Sequence, residues 1–199
     1  MSTASSITEI PSLLEEKIVE AKAEPSPTPI KRNPFAGKSP RFWIAFATLI
    51  LTAFISALDA VIIAAALPAI TKDLGGTSNE AFWSGTAFLL AATITQPLFG
   101  TFSEIFGRRI NLGAALVWFL VGSILCARST YMGMFIGSRV IQGIGGGGMI
   151  ALVEVTVTDL TGLNERGAFV GMIALAWALG TVIGPIMGGA IAEHTTWRW

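Results

Sequence analysis

Two residue types that build many active sites are nearly missing from this 199-residue chain, which has one cysteine, Cys126, and one histidine, His194. A single cysteine excludes an intrachain disulfide framework and a cysteine-built zinc site. A single histidine argues against histidine-centred catalysis or metal binding. Charge is scarce too, at 13% of residues, where a soluble domain carries about 25%. Neither sign is in excess, since 13 Lys and Arg stand against 13 Asp and Glu. That balance removes the case for a basic face that binds nucleic acid. No nucleophile–base set or acidic cluster stands out, so an enzyme is not expected. What remains is apolar: 52% of residues are hydrophobic and the mean hydropathy is +0.66.

The few charges are unevenly spread. Residues 1–41 hold eleven of the 26, and six of the nine prolines. This head lacks the uninterrupted apolar core and cleavage site of a secretory signal. Ser12-Leu13-Leu14-Glu15 has capping-box spacing and suits a short surface helix. Pro25-Ser26-Pro27-Thr28-Pro29 cannot propagate a helix and reads as an extended linker. The expectation for residues 1–41 is a polar, disordered cytosolic tail, and for 42–199 a membrane-embedded body.

In that body five apolar runs alternate with short polar breaks: Phe42–Ile70, Ala81–Phe102, Ile110–Ala127, Tyr131–Val157 and Gly167–Ala192. Each approaches or exceeds the roughly 20 residues that cross about 30 Å of hydrocarbon. Lipid offers backbone groups no partner, so the runs are read as helices. A β-barrel would alternate in segments of about 10 residues, and none do. The predicted fold class is therefore all-α, a polytopic bundle of about five spans. The short break Arg128-Ser129-Thr130 predicts a tight hairpin between runs three and four. With the N-terminus cytosolic, the inner segments carry seven Lys/Arg (Lys31, Arg32, Lys38, Arg41, Arg108, Arg109, Arg166) and the outer segments three (Lys72, Arg128, Arg198). The positive-inside rule favours that orientation. Trp43 and Trp83, at run ends, suit interfacial anchoring.

Asp59 lies deep in the first run, about 24 Å from its inner end and about 16 Å from its outer end at 1.5 Å per residue. An ionised Asp there costs at least about 2.5–3.5 kcal/mol, so it must find a partner, a watery cavity or a proton. Arg139 in the fourth run lies about 12 Å below the outer surface, within roughly one helical turn of that depth. An Asp59–Arg139 interaction is geometrically possible. It serves either proton coupling or static helix packing. Gln142 and Gly143 share the Arg139 face at i+3 and i+4. The run Gly145-Gly146-Gly147-Gly148 that follows costs helix propensity and suits close helix approach or bending. A phosphate-binding loop would need a preceding strand and a following Lys-Ser/Thr, which are not there. Glu154, taken as buried on the inner half of the run, has three candidate roles: second proton site, pore-lining acid, or snorkelling side chain. Gly180, Gly184 and Gly188, spaced by four with Pro185 and Gly189 beside them, predict a smooth face for a neighbouring helix and a kink. Gly100, Glu104, Gly107, Arg108, Arg109, Asp159, Glu165 and Arg166 predict a tight inner turn with a charge network. Its role is topology or a conformational latch.

Four of these segments, in order, resemble signatures of the major facilitator superfamily. Gly100 to Leu112 resembles its signature between spans two and three, with Glu104 where the family usually has Asp and the charge one methylene farther out. Ser138-Arg139-Val140-Ile141-Gln142-Gly143 resembles the span-four Arg-x-x-Gln-Gly signature. Gly180 to Gly189 resembles the span-five Gly-x-x-x-Gly-Pro-x-x-Gly-Gly signature of antiporters, and Leu58-Asp59-Ala60 through Pro68 the span-one motif of drug:proton antiporters. The polar head and the glycine run are most similar to fungal multidrug or toxin efflux members. The resemblance covers about residues 42–199. It implies proton-coupled efflux of small hydrophobic drugs, toxins or secondary metabolites across a plasma membrane, driven by the proton gradient with no cofactor. Its partners would be a small-molecule substrate, the lipid bilayer and a C-terminal half not included in these five spans. Because the chain ends abruptly at Trp197-Arg198-Trp199 after an odd number of spans, the alternative expectation is a truncated, non-transporting membrane fragment.

Overall fold

The computed structural model describes residues 38–194. The expected head helix, the proline-rich linker and the last residues, 195–199, lie outside that range. Five helices follow one another: α1 (Pro40–Asp73), α2 (Ser78–Phe106), α3 (Arg108–Ala127), α4 (Met132–Leu160) and α5 (Arg166–His194). Among the described residues there is no strand. The near end of the bundle carries the start of α1, Gly107 and the 161–165 loop. The far end carries the 74–77 and 128–131 connections.

Local chemistry sets the boundaries. Ser39 sits in extended backbone before Pro40, and its Oγ accepts from the Phe42 N–H at 3.4 Å. That is an N-cap followed by proline in the first turn, where a missing N–H costs nothing. The membrane body thus begins two residues earlier than the sequence indicated. At the far end Thr77 and Glu80 form a reciprocal capping box: the Thr77 N–H donates to Glu80 Oε2 at 2.8 Å, and the Glu80 N–H to Thr77 Oγ1 at 3.3 Å. Two orphan donors of α2 are satisfied in this way. The near-end turn is shorter than expected. α2 runs through Gly100 to Phe106, and Gly107 alone, at φ 87°, separates it from α3. Only glycine adopts that backbone without strain, so one glycine makes the turn and Gly100 is an interior helix residue.

Four of the five helices, α1, α3, α4 and α5, are long and apolar enough to cross a membrane. α2 has the length, 29 residues, but Asn79, Glu80, Gln96 and several Ser and Thr residues lower its hydropathy. Many hydroxyls within the helices are satisfied locally, although Ser56 Oγ and Thr156 Oγ1 are buried without a hydrogen-bond partner among the described residues. Thr52 donates to the Thr48 carbonyl, Thr93 to Leu89 and Ser138 to Met134, each at 2.7–2.8 Å. Back-bonding to residue i−4 is how a polar side chain tolerates lipid. Leu89, Leu90, Ile94, Ile110 and Leu120 are exposed, as expected where the solvent is hydrocarbon.

α4 is the axis of the bundle. α2 and α3 pack along it, while α5 packs along α1. Glycines set these close seams. A Cβ on Gly143 would lie 2.5 Å from the Phe88 carbonyl oxygen of α2, and one on Gly147 would meet the Ala92 carbonyl. Gly145 instead faces Phe119 and Ala115 of α3. The four-glycine run therefore seats α4 between two neighbours at backbone-contact range. On the other seam Gly180, Gly184 and Gly188 face the Phe54, Leu58 and Ile62 carbonyls of α1. Pro185 is exposed, Gly189 has open space beside it, and α5 continues through both. The near-end core joins Phe46, Leu49 and Ala53 to Val153, Val157 and Phe169, with the Phe46 and Phe169 rings edge to face at 4.9 Å.

Candidate functional site

Halfway along the bundle, α4 and α1 bring Arg139 and Asp59 together. Arg139 Nη1 donates to Asp59 Oδ2 at 3.1 Å and to Gln142 Oε1 at 2.5 Å. Gln142 Nε2 donates to Asp59 Oδ1 at 2.8 Å and to Ser123 Oγ at 2.9 Å. The i, i+3 spacing of Arg139 and Gln142 puts both on one α4 face, and together they hold both carboxylate oxygens. The Arg139 guanidinium also lies over the Phe88 ring of α2, 4.1 Å from its centroid, a cation–π contact worth about 2 kcal/mol when desolvated. Arg139 and Gln142 are 1% and 2% exposed, whereas the Asp59 side chain keeps 18%. The carboxylate is thus the open member of the pair.

What it opens onto is a cavity of about 230 Å³ between α1, α3, α4 and α5. Its polar wall is Asp59, Gln142, Ser123 and Cys126, and Cys126 Sγ donates to Gln142 Oε1 at 3.7 Å. Ile62, Ile63 and Ile70 supply apolar wall, and Gly188 of the antiporter-like motif contributes as well. Gly143 is a packing position against α2 and lies outside the lining. Glu154 differs from expectation. It is exposed on the near half of α4, beside a small recess shared with Ile173 and Trp177 of α5, and it lies outside the Asp59 cluster. The rotation of α4 turns Gly147, Gly148, Leu152 and Val153 inward and leaves Glu154 out.

At the near end, Arg108 Nε pairs with Asp159 Oδ2 at 2.8 Å, and Arg108 Nη1 donates to Ser103 Oγ. Asn111 Nδ2 donates to the carbonyls of Phe102 and Gly107, each at 3.0 Å. These groups brace the Gly107 turn against the end of α4. Glu104, Arg109 and Arg166 make no side-chain ion pair among the described residues, so the network is smaller than expected. Glu104 and Arg109 are exposed, where pairing gains little. Glu165 pairs instead with Lys38 at 2.7 Å, and the Lys38 ammonium also lies 5.1 Å from the Phe42 ring centroid and 5.7 Å from that of Phe169. Asn111→Ala would strip two carbonyls of a buried donor and is expected to cost about 1–3 kcal/mol. Asp159→Asn, at the half-exposed pair, should cost no more than about 1 kcal/mol. Thermal unfolding of the two variants in detergent checks that order.

Ser123, Cys126, Phe88, Ser103 and Asn111 join these clusters without having been singled out from sequence. Ser123 and Cys126 carry a usable signal, two polar-capable residues at i, i+3 on one face of an otherwise apolar helix. Phe88 carries none, because a ring under a guanidinium reads in sequence like any core phenylalanine.

The model of the Major Facilitator Superfamily matches residues 49–199. The chain is 47% identical over 159 residues, 80% of its length, to an MFS transporter L2 of Phoma sp.. It is 42% identical over 177 residues, 89% of its length, to the efflux pump FUS6 of Gibberella fujikuroi. With the MFS-type efflux pump MMF1 of Mycosarcoma maydis it shares 46% over 163 residues, 81% of its length. It spans 27%, 31% and 26% of the length of these relatives. A solved proton:xylose symporter bound to 6-bromo-6-deoxy-D-glucose shares the fold, with a TM-score of 0.70 at 19% identity over 79% of this chain and 40% of that one. The helical bundle, the ordered signatures and these likenesses together establish that the chain belongs to the major facilitator superfamily and is an integral, multi-pass membrane protein.

Proposed function

We propose that this chain forms part of a proton-coupled efflux transporter for small hydrophobic molecules, set in the plasma membrane with its near end cytosolic. One observation carries the reading: an intramembrane carboxylate, Asp59, paired to a buried guanidinium and open to a cavity. Ionisable groups at such depth mark ion or substrate pathways by default. Efflux is favoured by two relatives that are named as efflux pumps, FUS6 and MMF1.

The chemistry follows from charge. With Asp59 ionised, the pair is neutral. A proton arriving at the carboxylate leaves a net charge of +1 on the buried Arg139, an arrangement the low dielectric disfavours. Helix packing that suits the neutral pair is then strained in the charged one, so protonation biases the bundle toward its other arrangement. The proton gradient supplies the driving force, and no cofactor enters the scheme. The Arg108–Asp159 pair at the cytosolic end has the position and half-exposed character of a latch that breaks in one state and re-forms in another.

The test uses the product of the complete open reading frame that encodes these residues. Cells loaded with the lipophilic dye Nile red should export it only while a proton gradient persists. Asp59→Asn should lower gradient-driven export at least tenfold, with membrane insertion intact. Undiminished export by that variant would remove Asp59 from the coupling role.

A further inference from the structure

Among the described residues two acids stand well inside a helix, Asp59 in α1 and Glu154 in α4. The charge of Asp59 is balanced by Arg139. Glu154 has no such balance, because its side chain makes neither an ion pair nor a hydrogen bond among the described residues. It precedes Leu160, the last residue of α4, by about 9 Å along the helix.

Helix polarity argues against snorkelling. α4 starts at the far end and finishes at the near end. Side chains on a helix lean toward its N-terminus, so Glu154 leans inward, away from the near surface. Its surroundings agree. The recess beside it is lined on α4 by Met149, Ile150 and Val153, all N-terminal to it. α5 runs the opposite way. Trp177 lies about 16 Å along it from Arg166 and leans back toward the near end by the same rule. The carboxylate and the indole therefore approach one recess from opposite directions, with Ile173 beside them. The recess measures about 40 Å³, little more than the share of one water molecule. It admits a charged head group and not a whole solute. Trp177 keeps 39% of its surface, so the ring is open to a body lying outside the recess.

A carboxylate without a counter-ion at this depth does not rest against acyl chains; such groups face a bundle interior or a watery pathway. An anion, an open aromatic ring and an aliphatic floor are together complementary to a flat organic cation. The carboxylate accepts an N–H, the indole face attracts the delocalised charge, and a low dielectric strengthens both. A neutral solute of the same shape gains apolar contact alone.

We propose that Glu154 and Trp177 form a recognition site for flat organic cations and set the charge preference of the cargo. The inference rests on the proposed efflux and names a cargo class for it, at a site separate from the Asp59–Arg139 pair.

Nile blue and Nile red share one ring system, but the first carries a cationic iminium N–H group where the second has a carbonyl. The complete reading-frame product is placed in inverted vesicles with the membrane potential held at zero. Initial dye uptake is driven by an acid interior. Glu154→Gln should lower Nile blue uptake at least tenfold and Nile red uptake less than twofold, at equal membrane levels of protein. Trp177→Leu should lower Nile blue uptake at least threefold, and Trp177→Phe should restore most of it. Equal losses for both dyes in Glu154→Gln would make the residue a proton site or the partner of a cation elsewhere in the protein. No loss for either dye would leave it a solvated side chain. Either result overturns the cation site, as does unsubstituted protein that takes up Nile red and not Nile blue. Unsubstituted protein that moves neither dye under the gradient instead sinks the efflux reading, and the cargo class with it.

Discussion

Arg139→Leu is expected to destabilise the bundle by about 3–5 kcal/mol, because it removes one partner of a buried ion pair and leaves the other behind. Asp59 would lose the one cation it pairs with among the described residues, Gln142 Oε1 its closest donor, and Phe88 the guanidinium above its ring. Adding Asp59→Leu should restore most of that loss, since a buried pair replaced by apolar groups of similar volume is often neutral or better. Asp59→Leu alone, leaving a lone guanidinium against Phe88, should be as harmful as Arg139→Leu. The expected coupling energy is therefore large and favourable, well outside the scatter of independent sites. Unfolding by sodium dodecyl sulfate in mixed micelles, followed by helix content, measures all four corners of the cycle. Additive losses would show that the two side chains do not depend on each other. The doubly substituted protein should fold and still fail to export in response to a proton gradient, which separates the architectural contribution of the pair from its coupling role.

The second large effect belongs to a residue without a side chain. A Cβ on Gly147 would stand 2.6 Å from Thr95 Oγ1 and 2.8 Å from the Ala92 carbonyl carbon. The obstruction includes backbone, which cannot rotate away. Alanine in place of glycine normally favours a helix interior by about 1 kcal/mol. Here overpacking, about 1–3 kcal/mol or more where backbone must move, outweighs that gain. It also endangers the hydrogen bond from Thr95 Oγ1 to the Ile144 carbonyl, 3.3 Å long, that crosses the α2–α4 seam. Gly147→Ala is expected to lower the thermal midpoint in detergent, and Gly147→Leu to prevent a monodisperse protein. Gly137, on the same helix, has open space beside it, and Gly137→Ala should be neutral or stabilising. Equal effects at the two positions would mean that propensity, and not interhelical distance, governs these glycines.

The two sites were legible to different degrees. Depth along a helix follows from counting residues at a fixed rise, and that count placed Asp59 and Arg139 within a turn of each other. It did not give rotation about the helix axis. Hence Glu154, read as buried, is exposed, while Ser123 was not singled out and Cys126 was noted only as the lone cysteine, yet both form part of the cavity wall. The near-end charges show the same limit. Glu104, Arg108 and Arg109 are neighbours in sequence, yet helices point them in different directions, and only Arg108 reaches Asp159. The glycine run signalled close approach, but the identity of each neighbour had no trace in the local pattern.

Sequence by itself determined that this chain is a bundle of membrane-crossing helices with a carboxylate and a guanidinium at matching depth, because hydropathy and run length are one-dimensional quantities that a bilayer reads directly. Tertiary structure alone decided which helices are neighbours, that Gln142 completes the hold on Asp59, and that the carboxylate opens onto a cavity while the guanidinium is buried. Those outcomes depend on the angular position of each helix against the others, which is fixed only when backbone contacts such as Gly147 on Ala92 and Gly180 on Phe54 come together.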